Sequence, residues 1–507
     1  MPQSTYEKNL KLATKQAGLV FSTRVAGYLL GFISQAMFAR LLGADEFGLY
    51  SLGLTIANVG VLFAVFGLNS GMTRFLGEYL GKKDFAKAKG TIIEGFRITF
   101  LLSILFAVII TSFRKWIAVD VLNEPRLIPI IPWFSIVLVL LAISSLMSGV
   151  FQGLKKPSVY FAFKEVFERL LRVGIFVLLY LLGIRLFGVV LATVVSLTLV
   201  FPILVFYLYR YAHFVFDKSI PIEKDSKKLI RYSSNMLFVS FTYFLMGQVN
   251  RLILGAFLDS TSVGLYTIAG TVAGLSVFFL TSFNSIFASM IAELYHSDDL
   301  DTLSKMYSNL TRWIVTLTIP VTLWLIIFSE DILSVFGKDY LAAKYALILL
   351  AAGQFVNAAV GSCGLMLSMT KFQKYEMING IAVAGLNVFL NILLIPKLGI
   401  IGSAIGGMIA TSAVNILKSI EVFIVLKMQP YNRRFIKPLL SSGVAASILI
   451  LFNRTVHFQY ISMLILGLAV SFIVFFSVLF LLRPYPEDVM IFKSIIKRVK
   501  NHKKIRK

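Results

Sequence analysis

The polypeptide contains 507 residues, of which 58% are hydrophobic and 15% are charged. A soluble domain is about half apolar and about a quarter charged, so the composition excludes an ordinary soluble protein and indicates a membrane protein. The net charge of +24 is explained by the basic loops that membrane proteins keep in the cytoplasm, and we expect no nucleic-acid partner. With one cysteine and four scattered histidines, the sequence predicts no disulfide, no metal site and no cofactor.

Apolar segments long enough to cross a bilayer recur along the chain, separated by charge clusters, glycine and proline. Their predicted extents are 16–38, 47–72, 91–113, 127–150, 158–182, 186–209, 231–256, 263–291, 309–329, 341–369, 375–395, 400–426, 438–453 and 460–482. We therefore predict an all-α polytopic membrane protein with about 14 transmembrane helices.

The loop charges predict the orientation of these helices. When the N-terminus is placed inside, the inner loops hold roughly three times as many Lys and Arg residues as the outer loops. The even number of spans then returns the C-terminus, with its basic tail, to the same side. We expect a multi-pass protein of the cytoplasmic (cell) membrane with both termini in the cytoplasm. The polar first 15 residues predict no cleavable signal.

The sequence also matches itself at an offset of 216 residues. The segment ARLLGADEFGLYSLGLTIANVG, which begins at Ala39, falls on GAFLDSTSVGLYTIAGTVAGLS, which begins at Gly255. The same offset places Gly183 on Gly399, within Leu-Gly-Ile in both copies. Each copy covers six helices, so both copies have the same orientation. We expect an axis along the membrane normal to relate them, with a binding site between the two halves.

The repeat gives the predicted domain organisation. It comprises an N-terminal six-helix lobe (1–212), an inter-lobe cytoplasmic linker (213–230), a C-terminal six-helix lobe (231–430), two additional transmembrane helices (431–482) and a basic cytoplasmic tail (483–507). The last two helices lie outside the repeat. No loop is long enough to form a folded domain outside the membrane.

One predicted spanning helix contains a charged segment, KEVFERLLR, at residues 164–172. Its charged residues are Lys164, Glu165, Glu168, Arg169 and Arg172. Each charge at mid-bilayer costs about 2.5–3.5 kcal/mol, so these side chains are expected to face protein or a wet cavity. They are spaced as three pairs four residues apart, which can neutralise one another along a helix. Two interpretations stay open: an ion ladder that packs this helix against a neighbour, and a polar wall of a transport cavity.

Two further cations lie in apolar runs without an acidic residue nearby in sequence. Arg24 and Arg251 occupy the first helices of the two repeats, and arginine is suited to bidentate phosphate contact. For each of them, reaching toward the headgroups is the structural alternative. Polar candidates for lining a cavity or binding sugar are Gln35, Asn69, Gln248, Asn250, Asn357, Glu165 and Glu168. Each amide could instead serve a helix–helix contact.

Three motifs resemble a known family. They are FARLLGADEFGLYSLG (38–53), SVGLYTIAG (262–270) and NGIAVAGLNVFLNILLIPKLGIIGSAIGGMIAT (379–411). In combination they resemble the Wzx-like polysaccharide flippases of the multidrug/oligosaccharidyl-lipid/polysaccharide exporter superfamily. The resemblance implies two six-helix lobes around a central cationic cavity and alternating access. It also implies that a polyprenyl-pyrophosphate-linked oligosaccharide moves from the inner to the outer leaflet, for cell-surface polysaccharide or glycoprotein biosynthesis.

We therefore expect a transporter with no catalytic residues. The expected pyrophosphate site comprises Arg24, Arg251, Arg172, Arg169 and Lys164. Expected partners are the lipid-linked oligosaccharide, membrane lipids, and the glycosyltransferases or polymerase of polysaccharide assembly. Three alternatives stay open: a cation-coupled multidrug exporter of the same superfamily, a membrane-embedded glycosyltransferase or ligase, and a passive lipid scramblase. The D-x-D pattern at Asp299 is interpreted as a solvated helix face, since no domain surrounds it.

Overall fold

The computed structural model describes residues 3–456, 460–482 and 485, and for residues 3–21, 24, 285, 286, 289, 460 and 461 it describes the backbone alone. The predicted basic tail lies outside the described residues except for Tyr485. All regular structure in the described ranges is helical, which confirms the predicted fold class. The helices are α1 (Gln3–Val65), α2 (Leu68–Gly81), α3 (Phe85–Ser112), α4 (Ile131–Gly153), α5 (Pro157–Phe161), α6 (Glu168–Leu181), α7 (Leu186–Tyr211), α8 (Ser226–Gly247), α9 (Val249–Phe257), α10 (Ser260–Ala273), α11 (Phe278–His296), α12 (Leu300–Ile327), α13 (Ser329–Ser334), α14 (Lys344–Ala359), α15 (Cys363–Ser368), α16 (Gln373–Leu426), α17 (Ile436–Thr455) and α18 (Tyr460–Leu481).

The described helices account for the predicted membrane spans. Ten are long and apolar enough to cross a membrane, and the bent pair α8 and α9 makes an eleventh span. Two of the ten are long enough for two crossings each. They are Val25–Gly81, which combines most of α1 with α2 and has 57 residues, and Gln373–Leu426, which is α16 and has 54 residues. Residues 157–181 form a further helix of spanning length, which its charges keep out of a count based on hydropathy. Together these give the fourteen spans predicted from the sequence.

Both double-length helices are broken at a glycine. Gly43 in α1 has φ 79° and ψ 173°, and Gly399 in α16 has φ 60° and ψ −138°. Side chains other than hydrogen are strained at such positive φ values, so glycine permits the chain to change direction there. The breaks divide α1 and α16 into a first and a second arm each.

Local geometry recurs near the repeat offset. Gly183 and its repeat mate Gly399 both have positive φ, at 83° and 60°. The N-termini of α3 and α12 are also alike. At each, a residue with φ near 60° precedes an aspartate, and the aspartate side chain accepts a hydrogen bond from the residue three positions later. The two aspartates are Asp84 and Asp299, which accept from the backbone N–H of Lys87 and Thr302. Asp299 is thus a helix cap, in agreement with its interpretation as part of a solvated helix face.

Contacts group the chain into two compact units. The first comprises Met1–Thr271, Phe336–Ala346 and Gly380–Gly407, and the second comprises Val272–Val335, Leu347–Asn379 and Met408–Lys507. The predicted bounds of lobes, linker and tail remain a prediction. Within the first unit, residues 157–181 pack against α1, α4 and α7. Tyr160 and Phe161, just before the charged segment, belong to a buried apolar cluster with Met147 and Leu204 that fixes this end of the helix.

Candidate functional site

The charged segment begins in a π-helical turn. Pro157 starts α5 at a first-turn position, where its missing N–H costs nothing, and Ala162–Phe167 then form a π-helical turn before α6 continues. Such turns are rare and often lie at functional sites. This one contains Lys164 and Glu165, so it redirects the first charged residues around the helix axis relative to an unbroken α-helix.

The three ion pairs expected from the sequence spacing are all formed. Nη2 of Arg169 lies 2.5 Å from Oε2 of Glu165. Nζ of Lys164 lies 3.5 Å from Oε2 of Glu168, and Nε of Arg172 lies 3.6 Å from Oε1 of the same carboxylate. Two carboxylates thus meet three cations, which leaves one net positive charge within a membrane span.

Glu168 is the buried centre of this group. Its side chain is 2% exposed, whereas those of Lys164 and Arg172 are 16% and 18% exposed. Ser196 of α7 donates a hydrogen bond to Oε1 of Glu168 over 2.9 Å. The guanidinium of Arg172 also lies 5.9 Å from the ring centre of Phe38 in α1, a cation–π distance.

The first arm of α1 approaches the charged segment closely through two glycines. A Cβ atom on Gly27 would lie 2.8 Å from Cβ of Glu165, and one on Gly31 would collide with Nη1 of Arg169. Arg169 donates to the carbonyl oxygen of Gly27. The sequence carries a signal for this contact that was missed, since Gly27 and Gly31 frame a small-xxx-small pattern typical of close helix packing in membranes. The side chain of Arg24, one turn earlier in α1, lies outside the described side chains.

Arg251 lies just after a break between two helices. The axes of α8 and α9 differ by 50°, and Gln248 lies at the junction. Oε1 of Gln248 accepts a hydrogen bond from Nη1 of Arg251 over 2.7 Å. The structure therefore brings the candidates Gln248 and Arg251 together. The Gln248 amide supplies the contact, since no acidic residue lies near Arg251 in the sequence.

Asn250 belongs to a buried amide network. Its Nδ2 donates to the Tyr266 hydroxyl over 2.7 Å, and its Oδ1 accepts from Nδ2 of Asn387 over 2.7 Å. Asn391 donates to Oδ1 of Asn387 over 3.0 Å and accepts from Ser403 over 2.6 Å. The network joins α9, α10 and both arms of α16. These mutually satisfied groups favour a helix–helix contact over sugar binding at Asn250.

The remaining polar candidates are dispersed. Oε1 of Gln35 accepts from the Thr271 hydroxyl over 2.7 Å. Oδ1 of Asn69 accepts from the backbone of the next residue. Asn357 donates to Gln354 over 3.2 Å and belongs to the second unit, whereas the other candidates belong to the first. Among the candidates whose side chains the structure describes, the five charged residues of 164–172 form one group, and Gln248 and Arg251 form a separate pair.

A second polar group, which the sequence reasoning missed, lies where the repeated motifs meet. Arg126 forms ion pairs with Asp45 and Glu124, at 2.6 and 3.0 Å, and the Ser260 hydroxyl donates to Asp45. The hydrogen bond with Asp45 raises the pKa of the Arg126 guanidinium above its usual value. Backbones touch here, because a Cβ atom on Gly264 would collide with the carbonyl oxygen of Ala44. The partners lie far apart in sequence, so no local pattern marks them.

A comparison with protein families places the chain. A model described as polysaccharide biosynthesis protein matches residues 13–291, more than half of the chain. The chain therefore belongs to the polysaccharide biosynthesis protein family. This finding confirms the resemblance that the three motifs indicated.

Individual proteins agree with this placement. The chain is 23% identical over 282 residues to the probable low-salt glycan biosynthesis flippase Agl15 of Haloferax volcanii, a match that covers 55% of this chain and only 59% of that protein. The structure of the lipid II flippase MurJ in an inward closed conformation is similar with a TM-score of 0.71 and 16% identity, over 94% of this chain and 99% of that chain. An inward-facing multidrug resistance MATE family transporter of the MOP superfamily gives a TM-score of 0.64 at 14% identity, over 81% and 98%. At these identities, the structural likeness shows the fold.

Proposed function

We propose that this protein is a flippase that moves a polyprenyl-pyrophosphate-linked oligosaccharide from the inner to the outer leaflet of the cytoplasmic membrane. The observation that carries the proposal is the charged segment, which keeps one net positive charge inside a membrane span. A buried charge is expensive, and a protein retains it there for a function. The family membership and the similarity to two proteins named as flippases, Agl15 and MurJ, support the same class of activity.

The cations suit the diphosphate of such a lipid. Lys164, Arg169 and Arg172 present their hydrogen-bond donors from one helix. Arg251 is hydrogen-bonded to Gln248, whose neutral amide does not cancel the positive charge of the guanidinium. Guanidinium groups make paired hydrogen bonds to phosphate oxygens. In the proposed cycle these cations and Arg24 hold the diphosphate, the sugars travel in a wet cavity, and the polyprenyl chain stays in lipid. Alternating access then exposes the site to each side in turn, with both termini in the cytoplasm.

A cation-coupled multidrug exporter is the second candidate, because the fold is shared with a multidrug resistance transporter. A pump for organic cations is expected to offer accessible carboxylates to its cargo. Here the Glu168 carboxylate is 2% exposed and is shared by two cations, and the more exposed Glu165 carboxylate, at 30%, is held by Arg169 at 2.5 Å. The charge balance of the segment therefore favours an anionic cargo.

The proposal is tested by a flipping assay in proteoliposomes. The probe is a fluorescent polyprenyl-diphosphate oligosaccharide, whose exposure on the opposite leaflet is followed by chemical quenching. We expect the Arg24→Gln/Arg251→Gln variant to lose most of the flipping rate, because two diphosphate ligands are removed. The control is Arg97→Gln, which removes an exposed arginine of α3 outside the site and is expected to flip like the wild type. Equal rates for wild type and double variant would show that the site is wrongly assigned.

A further inference from the structure

Glu168 is shared by two cations of the proposed site, and the three groups differ in accessibility. Its carboxylate lies 3.5 Å from Nζ of Lys164 and 3.6 Å from Nε of Arg172. The Glu168 side chain is 2% exposed, whereas the two cations are 16% and 18% exposed. The two cations are therefore more accessible to an arriving anion than the carboxylate that they share.

The two contacts of Glu168 are loose. Charge-assisted hydrogen bonds between nitrogen and oxygen are about 2.7–2.9 Å long, and both contacts exceed this range. The buried Nε of Arg172 has no hydrogen-bond partner among the described residues. By contrast, the Arg169–Glu165 pair is tight, at 2.5 Å. Glu168 thus neutralises Lys164 and Arg172, while Nε of Arg172 keeps a hydrogen-bonding capacity that no described residue uses.

We infer that Glu168 is a built-in counter-anion, which neutralises Lys164 and Arg172 while the site is empty and competes with the diphosphate of the arriving lipid for these cations. The inference rests on the proposed function. Ser196 anchors the carboxylate through its hydrogen bond, so Glu168 stays within reach when a ligand displaces it. Its return would then help to release the lipid on the other side of the membrane.

The counter-anion also explains how the site excludes ordinary phospholipids. A phosphodiester headgroup carries one negative charge, the same as Glu168, but Glu168 is tethered beside the cations at a high effective concentration. The headgroup therefore gains little by displacing it. A diphosphate diester carries two negative charges and four non-bridging oxygens, so it can engage both cations at once and can displace the carboxylate.

Binding measurements on the purified full chain test the inference. The probe is a short prenyl chain joined to glucose through a diphosphate, and its affinity is measured by calorimetry. We expect Glu168→Gln to bind the probe about tenfold more tightly than the wild type, because the competitor is gone. In the flipping assay the same variant is expected to lower both KM and kcat, since release becomes slow. A purely structural role would not produce tighter binding together with slower turnover.

Two further variants keep the test decisive. Glu94→Gln is the matched control, because Glu94 is 14% exposed and pairs with Lys224 at 3.5 Å outside the site, and it is expected to bind like the wild type. Glu168→Asp keeps the charge but draws the carboxylate back by one methylene group. It is expected to tighten binding to a smaller degree, and it decides the question if Glu168→Gln does not fold.

A binding measurement with a phospholipid distinguishes a diphosphate ligand from an ordinary phosphodiester headgroup. We expect phosphatidylglycerol to bind to Glu168→Gln but not measurably to the wild type. Unchanged or weaker probe affinity in both Glu168 variants, while the wild type binds the probe, would overturn the counter-anion and leave the proposed function standing. A wild type that does not bind the diphosphate probe at all would overturn the proposed function as well.

Discussion

The two copies of the repeat differ sharply where the offset places residues 164–172 on residues 380–388. The first stretch, KEVFERLLR, carries five charges, and the second, GIAVAGLNV, carries none. In the first copy, charged side chains pair along one helix and keep a net positive charge. In the second, Asn387 joins a neutral network with Asn250. The same position in the repeat thus serves neutral helix packing in one copy and holds charge in the other, so the second copy lacks counterparts of the proposed phosphate ligands Lys164, Arg169 and Arg172.

The largest effect is expected from removing both cations that share Glu168. In Lys164→Gln/Arg172→Gln the Glu168 carboxylate stays buried without either cation and keeps the hydrogen bond from Ser196, which is expected to cost about 3–5 kcal/mol of unfolding free energy. Equilibrium unfolding of the detergent-solubilised protein measures this. Adding Glu168→Gln to the double variant should recover much of the loss. A double variant as stable as the wild type would mean that the carboxylate is not buried as described.

A smaller effect is expected where α1 touches the charged segment. A Cβ atom on Gly27 would lie 2.8 Å from Cβ of Glu165, so Gly27→Ala is expected to cost about 1–3 kcal/mol through overpacking. Gly174→Ala, later in the same helix as Glu165, and Gly385→Ala, in the second copy, are the controls, because nothing lies within 4 Å of either new Cβ. Both should be neutral or slightly stabilising in the same unfolding measurement. Equal losses at all three positions would refute the close contact.

The amide network of the second copy offers a comparable test. Asn387→Ala removes the donor to Oδ1 of Asn250 and an acceptor of Asn391, and it is expected to cost about 1–3 kcal/mol. The affinity for the diphosphate probe should stay at the wild-type value, because Asn387 is not among the proposed phosphate ligands. Lost affinity at undiminished stability would move the proposed binding chemistry toward the second copy.

The smallest effect is expected at features that the two copies share. Asp84→Ala and Asp299→Ala each remove a helix cap and should each cost about 1 kcal/mol. The backbone N–H of Lys87 lowers the pKa of the Asp84 carboxyl. Because the carboxyl has a lower pKa in the folded state than in the unfolded state, its ionised form stabilises the fold at pH values above the unfolded-state pKa. This stabilisation is lost as the pH falls through the folded-state pKa. The stability gap between wild type and Asp84→Ala should therefore close as the pH drops below about 4.

The sequence predicted features that depend on helical spacing. The pairs Lys164–Glu168 and Glu168–Arg172 follow from a separation of four residues, which brings side chains together on any helix. The contact of Gln248 with Arg251 joins residues three apart across the start of α9, a spacing that the sequence also contains. The spans follow from hydropathy except for residues 157–181, whose five charges keep them out of a count based on hydropathy alone.

Contacts between helices could not be predicted in this way. Ser196 reaches Glu168 from another helix, and Asn250 meets Asn387 across 137 positions of sequence, so no local pattern connects them. The π-helical turn at Ala162–Phe167 could not be predicted either, because no residue pattern indicates a shift of the backbone hydrogen bonds by one residue. The close packing of α1 is the exception, since the spacing of Gly27 and Gly31 indicates it.

Native mass spectrometry of the purified protein tests the central claim most directly. The wild type would be measured beside Arg24→Gln/Arg251→Gln, and both spectra searched for a bound polyprenyl-diphosphate glycan. The account predicts that this lipid accompanies the wild type and is lost from the variant. A wild type that carries only ordinary phospholipid would contradict the account.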